Sequence, residues 1–117
     1  MQMSEIDYGN ARPIDGYGPG FFRIGGVAHP APLLVTADAV RPWAGLDDHA
    51  ALIALAGQID VLFFGTGSDI TPVPTALGLA LDTAGIGVEP MASASACRTY
   101  NILLSEGRRV AVALLAV

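Results

Sequence analysis

The sequence predicts an α/β fold: a central, mostly parallel sheet with helices on its faces and a β-hairpin-rich N-terminal part. Three observations predict it. Residues 1–43 are rich in Gly and Pro and carry short β-type runs. From Asp47 the texture changes to alternating helical and strand-like segments as far as residue 117. Two segments, Val61–Phe64 and Val110–Val117, are apolar throughout, as in strands buried on both faces. At 117 residues the chain is expected to form one domain with a single sizeable core.

In the front part, Ile14–Tyr17 and Phe21–Ile24 flank the turn Gly18-Pro19-Gly20. Leu33–Thr36 follows Gly25-Gly26 and Pro30. These read as short antiparallel strands joined by turns. Trp43 is expected to anchor the front on the back. Asp47-Asp48 opens a helix, because acidic residues favour its positive end. Leu52, Leu55 and Ala56 fall at helical spacing behind it. The strand Val61–Phe64 ends at Gly65-Thr66-Gly67. Thr71-Pro72 reads as the cap and first position of a second helix. Its buried stripe is Val73, Leu77, Ala80, Leu81 and Ala84, and Gly85 stops it. Ile86–Glu89 is a short strand. Ser93–Glu106 is a third helix stopped by Gly107, and Val110–Val117 closes the sheet.

Composition narrows the function classes. The chain has no Lys, six Arg and eleven acidic residues, for a net charge of -5 and a pI near 4.6. That leaves no electrostatic footprint for nucleic acid or anionic lipid. With 52% hydrophobic and 15% charged residues, it is not a disordered chain. Such sparse charge fits either a large core or a homo-oligomer interface. A single cysteine excludes an internal disulfide. The opening MQMSEIDYGNARP lacks the pattern of a signal peptide. VAVALLAV, the longest apolar run, is far short of the ~20 residues that span a bilayer. A soluble cytoplasmic protein without membrane insertion is expected.

The stretch from Ser93 to Val110 holds Cys97 and three of the six arginines. On a helical wheel, Leu103, Ala96, Tyr100, Leu104 and Cys97 cover one arc that should face the sheet. Cys97, Asn101, Arg98 and Ser105 form its border. Cys97 has two readings: a thiolate nucleophile, or a small core residue at a tight helix–sheet contact. No histidine is close in sequence, leaving His29 or His49 to approach in space. Arg98 could clamp a carboxylate or phosphate, or pair with Asp60, Asp69 or Glu89. Arg108-Arg109 could compensate the negative end of the helix. A third possibility is that Cys97–Asn101 lock the last helix to the sheet.

The turn GTGSDITPVP joins a central strand to a helix, where open α/β sheets gather ligands. It is neither GxGxxG nor a Walker loop, and Asp69 would repel phosphate. It suits a close backbone approach to a neighbouring segment or a small ligand. Asp47-Asp48-His49 and the isolated His29 give no metal-ligand spacing, so no metal and no cofactor are expected. The candidate site is therefore Gly65, Thr66, Gly67, Arg98 and Asn101 for a ligand or partner, with Cys97 or Asp69 as the reactive group if chemistry occurs.

IDGYGPGFFRI, Trp43, LFFGTG and ACRTYNILLSEGRRV together resemble a small domain-of-unknown-function family. Mitochondrial respiratory complex I assembly factor 3 and the adipogenesis-associated protein of the same fold share it. The resemblance runs from about residue 4 to 117. Ala92-Ser93 departs from the Asp-Thr often found there, with Ser93 still expected to cap the helix. The resemblance implies a three-layer sandwich with a central mixed sheet. It supplies no catalytic residues. It implies a protein partner, such as a membrane-complex component, and a stand-alone bacterial-type chain near the inner face of a membrane. The leading expectation is a non-catalytic interaction or assembly factor. The alternative is an anionic-ligand site, or an enzyme, at the glycine turn and Arg98.

Overall fold

The computed structural model describes residues 11–117. The polar N-terminal stretch and the start of the family resemblance lie largely outside them. β1 (Gly16–Gly18), β2 (Phe21–Ile24) and β3 (Val27–Pro30) form an antiparallel sheet of their own, in that order. The first strand was expected from Ile14. It starts at Gly16 because both backbone groups of Ile14 bond to the Asn101 side chain instead. β3 is an addition to the sequence reading, which took Gly25–Pro30 as turn. It lies at the sheet edge, where Pro30 at its end is tolerated.

The second sheet has five strands. They are β4 (Leu33–Thr36), β5 (Val40–Arg41), β6 (Val61–Gly65), β7 (Gly87–Met91) and β8 (Val110–Leu114), in the order β5-β4-β8-β6-β7. β6 runs parallel to β7 and β8, whereas β4 runs antiparallel to β5 and β8. The sheet is thus mixed, with β5, β8, β6 and β7 running in one direction and β4 alone against them. Helical crossovers make the back strands parallel, but β4 arrives from the front hairpins and is under no such constraint. The front also divides: β4 and β5 join the central sheet, while β1–β3 do not.

Three helices are present among the described residues. α1 (His49–Ile53) is capped by Asp48, whose carboxylate accepts from Ala51 N at 3.3 Å and Ala44 N at 2.9 Å. It is shorter than expected, so Leu55 is buried from the following turn and Ala56 is exposed. α2 (Thr75–Thr83) starts after Pro74, not at Thr71-Pro72. Pro74 disfavours the helical conformation at Val73, so a helix cannot run through that pair of prolines. Thr71 N donates to Thr66 Oγ1 instead. α3 (Ser93–Ser105) agrees with expectation to within a residue, and Gly107 takes the left-handed φ of 77° that ends it.

Each face of the five-stranded sheet carries a core. Val110, Val112 and Leu114 point to one side, with Ile14, Phe22, Ile24, Ala96, Cys97, Tyr100 and Leu104. Ala111 and Ala113 point to the other, with Leu34, Trp43, Leu52, Leu62, Phe64, Leu77 and Leu81. So α3 and the β1–β3 sheet cover one face, and α1 and α2 cover the other. Period-two alternation in a strand buried on both sides explains this partition of β8. Trp43 is the anchor expected. It meets Phe64 edge-on at 5.7 Å, and its Nε1 donates to Asp48 O at 3.1 Å.

Candidate functional site

β6 meets the first turn of α3 at a glycine. A Cβ on Gly65 would lie 2.8 Å from both Leu114 Cδ2 and Ser93 Oγ, and 2.9 Å from Ser93 Cα. Only a hydrogen fits there, which lets α3 seat directly on the sheet. Ser93 is the first residue of α3, and Ala92 occupies the cap position without a side-chain bond. The expected capping role of Ser93 is therefore corrected. Its buried hydroxyl instead bridges two elements, donating to Leu115 O at 2.8 Å and accepting from Gly67 N at 2.9 Å.

Other groups of the turn are paired in the same way. Thr66 N donates to Met91 O, Ser93 N to Gly67 O and Leu115 N to Gly65 O, at 2.8–2.9 Å. Thr66 Oγ1 donates to Asp69 O at 2.7 Å and accepts from Thr71 N at 3.0 Å. Gly67 has a φ of +104°, which L side chains rarely adopt. An anion nest needs unspent N–H groups. Those of Thr66 and Gly67 are spent within the protein, so the close approach is to a neighbouring segment.

Along α3, Ala96, Cys97, Tyr100 and Leu104 of the expected arc are buried, and Leu103 is half-buried. Burial pushes the Cys97 thiol up to about 12, against the opposing pull of the Arg98 charge. A thiol so placed is protonated at neutral pH, whereas reactive cysteines sit in exposed, electropositive settings. Burial likewise pushes the Tyr100 hydroxyl up, and it donates to Arg12 O at 3.2 Å. Asn101 accepts from Ile14 N and donates to Ile14 O, both at 2.8 Å. Tyr100 and Asn101 thus fasten residues 12–14 to the last helix.

Arg98 is exposed and donates to Ser95 Oγ at 3.3 Å. Among the described residues it forms no ion pair with Asp60, Asp69 or Glu89. Asp60 belongs to Arg109, at 2.9 Å, and Arg109 Nη1 also donates to Gly57 O at 3.2 Å. The Arg109 hydrogen bond holds the Asp60 carboxyl below the usual range. Arg109 therefore ties β8 to the entry of β6. Asp69 is exposed and contributes its backbone carbonyl, not its carboxylate, to the turn. No hydrogen bond joins Cys97, Asp69 and Arg98 among the described residues.

Two concavities lie elsewhere. One, of about 520 Å³, is lined by His29, Leu33, Arg41, Trp43 and Asp48 among others. The second, of about 340 Å³, is lined by Thr36, Asp38, Arg41, Gln58, Arg108 and Arg109 among others. The sequence reading missed the second because its residues come from three separate stretches of chain. The adjacent Arg108-Arg109 was the available signal.

The chain is similar to known proteins. The family described as "Protein of unknown function (DUF498/DUF598)" matches residues 14–115. An uncharacterised protein of Rhodobacter capsulatus is 56% identical over 115 residues, covering 98% of this chain and 93% of that protein. NADH dehydrogenase (ubiquinone) 1 alpha subcomplex assembly factor 3 of Danio rerio is 31% identical over 109 residues, covering 87% of this chain. This chain spans 63% of that factor's length. Among solved structures, an outer membrane protein from Bartonella henselae superposes with a TM-score of 0.83 at 32% identity. That match covers 92% of this chain and 97% of the other. A Mth938-like domain from Bordetella pertussis gives 0.79 at 26% identity, over 99% and 92% of the two chains. The resemblance read from IDGYGPGFFRI, LFFGTG and ACRTYNILLSEGRRV is borne out, and the chain belongs to the DUF498/DUF598 family of proteins of unknown function.

Proposed function

We propose that this chain is a non-catalytic interaction or assembly protein, a single three-layer α/β domain that recognises a protein partner. The observation that carries the reading is the inward use of its most distinctive residues. Of Gly65, Thr66, Gly67, Arg98 and Asn101, only Arg98 keeps its polar end away from the fold's own fastening. Likeness to an assembly factor adds support. The buried thiol and the spent N–H groups of Thr66 and Gly67 weigh against the alternative, an anionic ligand at Gly65–Gly67 and Arg98 with Cys97 reactive.

Arg98 and Ile102 lie one turn apart on the outer side of α3, and Ile102 is 57% exposed. A guanidinium beside an apolar side chain suits a partner with an acidic and apolar surface. Among the described residues no helix is long and apolar enough to cross a membrane. The proposal accordingly places the chain in the cytoplasm, peripheral to the inner face of a membrane and against a component of a membrane complex. A homo-oligomer remains within the same proposal, with α3 as its contact.

Photo-crosslinking in native cells tests it, with a benzophenone amino acid in place of Ile102. The proposal expects one discrete adduct in the membrane fraction, abolished by Arg98→Glu. Adducts no different from those formed at Arg23, on the other sheet, would overturn it.

A further inference from the structure

Cations are scarce in this chain, and they are not evenly spread. Arg41, Arg108 and Arg109 line the 340 Å³ cleft, and Arg12 reaches its edge by donating to Asp38 O at 3.1 Å. Four of the six arginines of a chain with net charge -5 thus converge on one end of the five-stranded sheet. Two carboxylates oppose them. Asp60 is engaged by Arg109 at 2.9 Å. Asp38 is held by the Thr36 hydroxyl at 2.6 Å and stands 3.8 Å from Arg41 Nη2, beyond hydrogen-bond reach. Among the described residues, four guanidiniums against these two carboxylates leave two positive charges at the cleft.

Arg41 Nε is buried and has no hydrogen-bond partner among the described residues. Buried polar atoms are nearly always paired, so an orphaned guanidinium N–H asks for an acceptor. The neighbouring end of α3 does not supply one: Leu103 O and Leu104 O already accept from the N–H groups of Glu106, Gly107 and Arg108. Ile59 and Val110 give the cleft an apolar floor. Its volume falls in the range of small-molecule sites.

We propose that this cleft binds the phosphoryl group of a small soluble phosphomonoester. Guanidinium forks match phosphate oxygens in geometry, and a phosphomonoester carries close to two negative charges at neutral pH. Arg41 and Arg108 hold the phosphoryl group, Arg109 sets the field while bound to Asp60, and the ester's organic part lies on Ile59 and Val110. The site is separate from the outer face of α3 and stands or falls independently of partner binding.

The test is an NMR titration of the full chain, observing backbone amides and arginine Nε–H groups at constant ionic strength. Its probes are inorganic phosphate, glycerol 3-phosphate and succinate. The proposal expects saturable shifts at Thr36–Arg41 and Gly107–Val110, with glycerol 3-phosphate tighter than phosphate and succinate weakest. Arg108→Ala at an exposed position and Arg41→Lys at a half-buried one should each weaken glycerol 3-phosphate at least tenfold, while Arg23→Ala leaves it unchanged. Shifts that never saturate, or that appear equally at Arg23 and Arg98, would overturn the site. Tighter binding of succinate would overturn the phosphoryl assignment. Binding only to vesicles containing phosphatidic acid, with no response to glycerol 3-phosphate, would overturn the soluble source.

Discussion

Asn101 and Ile14, 87 positions apart, exchange two hydrogen bonds of 2.8 Å: the amide oxygen accepts from Ile14 N and the amide nitrogen donates to Ile14 O. The side chain completes the pairing that a neighbouring strand would otherwise give. It docks the start of the front hairpins onto the last helix, beside the Tyr100 bond to Arg12 O. An apparent binding residue is thereby a clasp between the two halves of the chain.

Asn101→Ala leaves a part-buried donor and acceptor of Ile14 unpaired. Each such group costs about 1–3 kcal/mol where water cannot reach it. The expected outcome is a lower unfolding free energy in urea, and faster amide exchange at Ile14 in the native state. Unchanged exchange at Ile14 would show that the clasp does not hold this segment.

Gly65→Ala places a methyl against the backbone of Ser93, which cannot rotate away. Overpacking of this kind costs about 1–3 kcal/mol. Urea denaturation should show the loss, with the first turn of α3 the region most deprotected in hydrogen exchange. A neutral Gly65→Ala would mean that α3 can lift from the sheet freely.

Cys97 makes the alkaline side of stability informative. Its thiol is pushed up from 9.0 to about 12 in the folded protein, so the unfolded chain loses this proton first. The stabilising difference is whole below pH 9.0 and declines as pH rises from there towards 12. Wild type should therefore lose stability above pH 9.0 by up to about 1.4 kcal/mol per pH unit. Cys97→Ala should remove that slope until Tyr100, shifted in the same direction, adds its own at higher pH. Iodoacetamide at pH 7 should modify native Cys97 only as fast as the protein opens. Rapid, stoichiometric alkylation of the folded protein would restore the nucleophile reading.

Much of the fold was legible because local signals agreed with it. Phe21–Ile24, Leu33–Thr36 and the α3 arc of Ala96, Cys97, Tyr100 and Leu104 stand where period and turn residues placed them. Non-local facts were not legible. β3 hides in a Gly- and Pro-flanked run because its strand character comes from pairing with β2. That β4 runs against the other four strands follows from its pairing with β8, which no local pattern encodes. The direction in which the candidate residues face was not legible either. Whether Gly65 faces a ligand or a serine depends on a segment 28 positions away. The arginine cleft draws on residues from Thr36 to Val110, and of the arginines that line it only Arg108 and Arg109 are neighbours in sequence.

The central claim is that the glycine turn and the last helix spend their polar groups on the fold and leave Arg98 outside it. Equilibrium unfolding of Ser93→Ala beside Arg98→Ala tests this most directly. Ser93→Ala removes a buried hydroxyl shared by Gly67 N and Leu115 O, and should destabilise by about 1–3 kcal/mol for each group left unpaired. Arg98→Ala should stay within about 0.5 kcal/mol of wild type, as for a surface position. An Arg98→Ala as damaging as Ser93→Ala, or a Ser93→Ala without effect, would contradict the account.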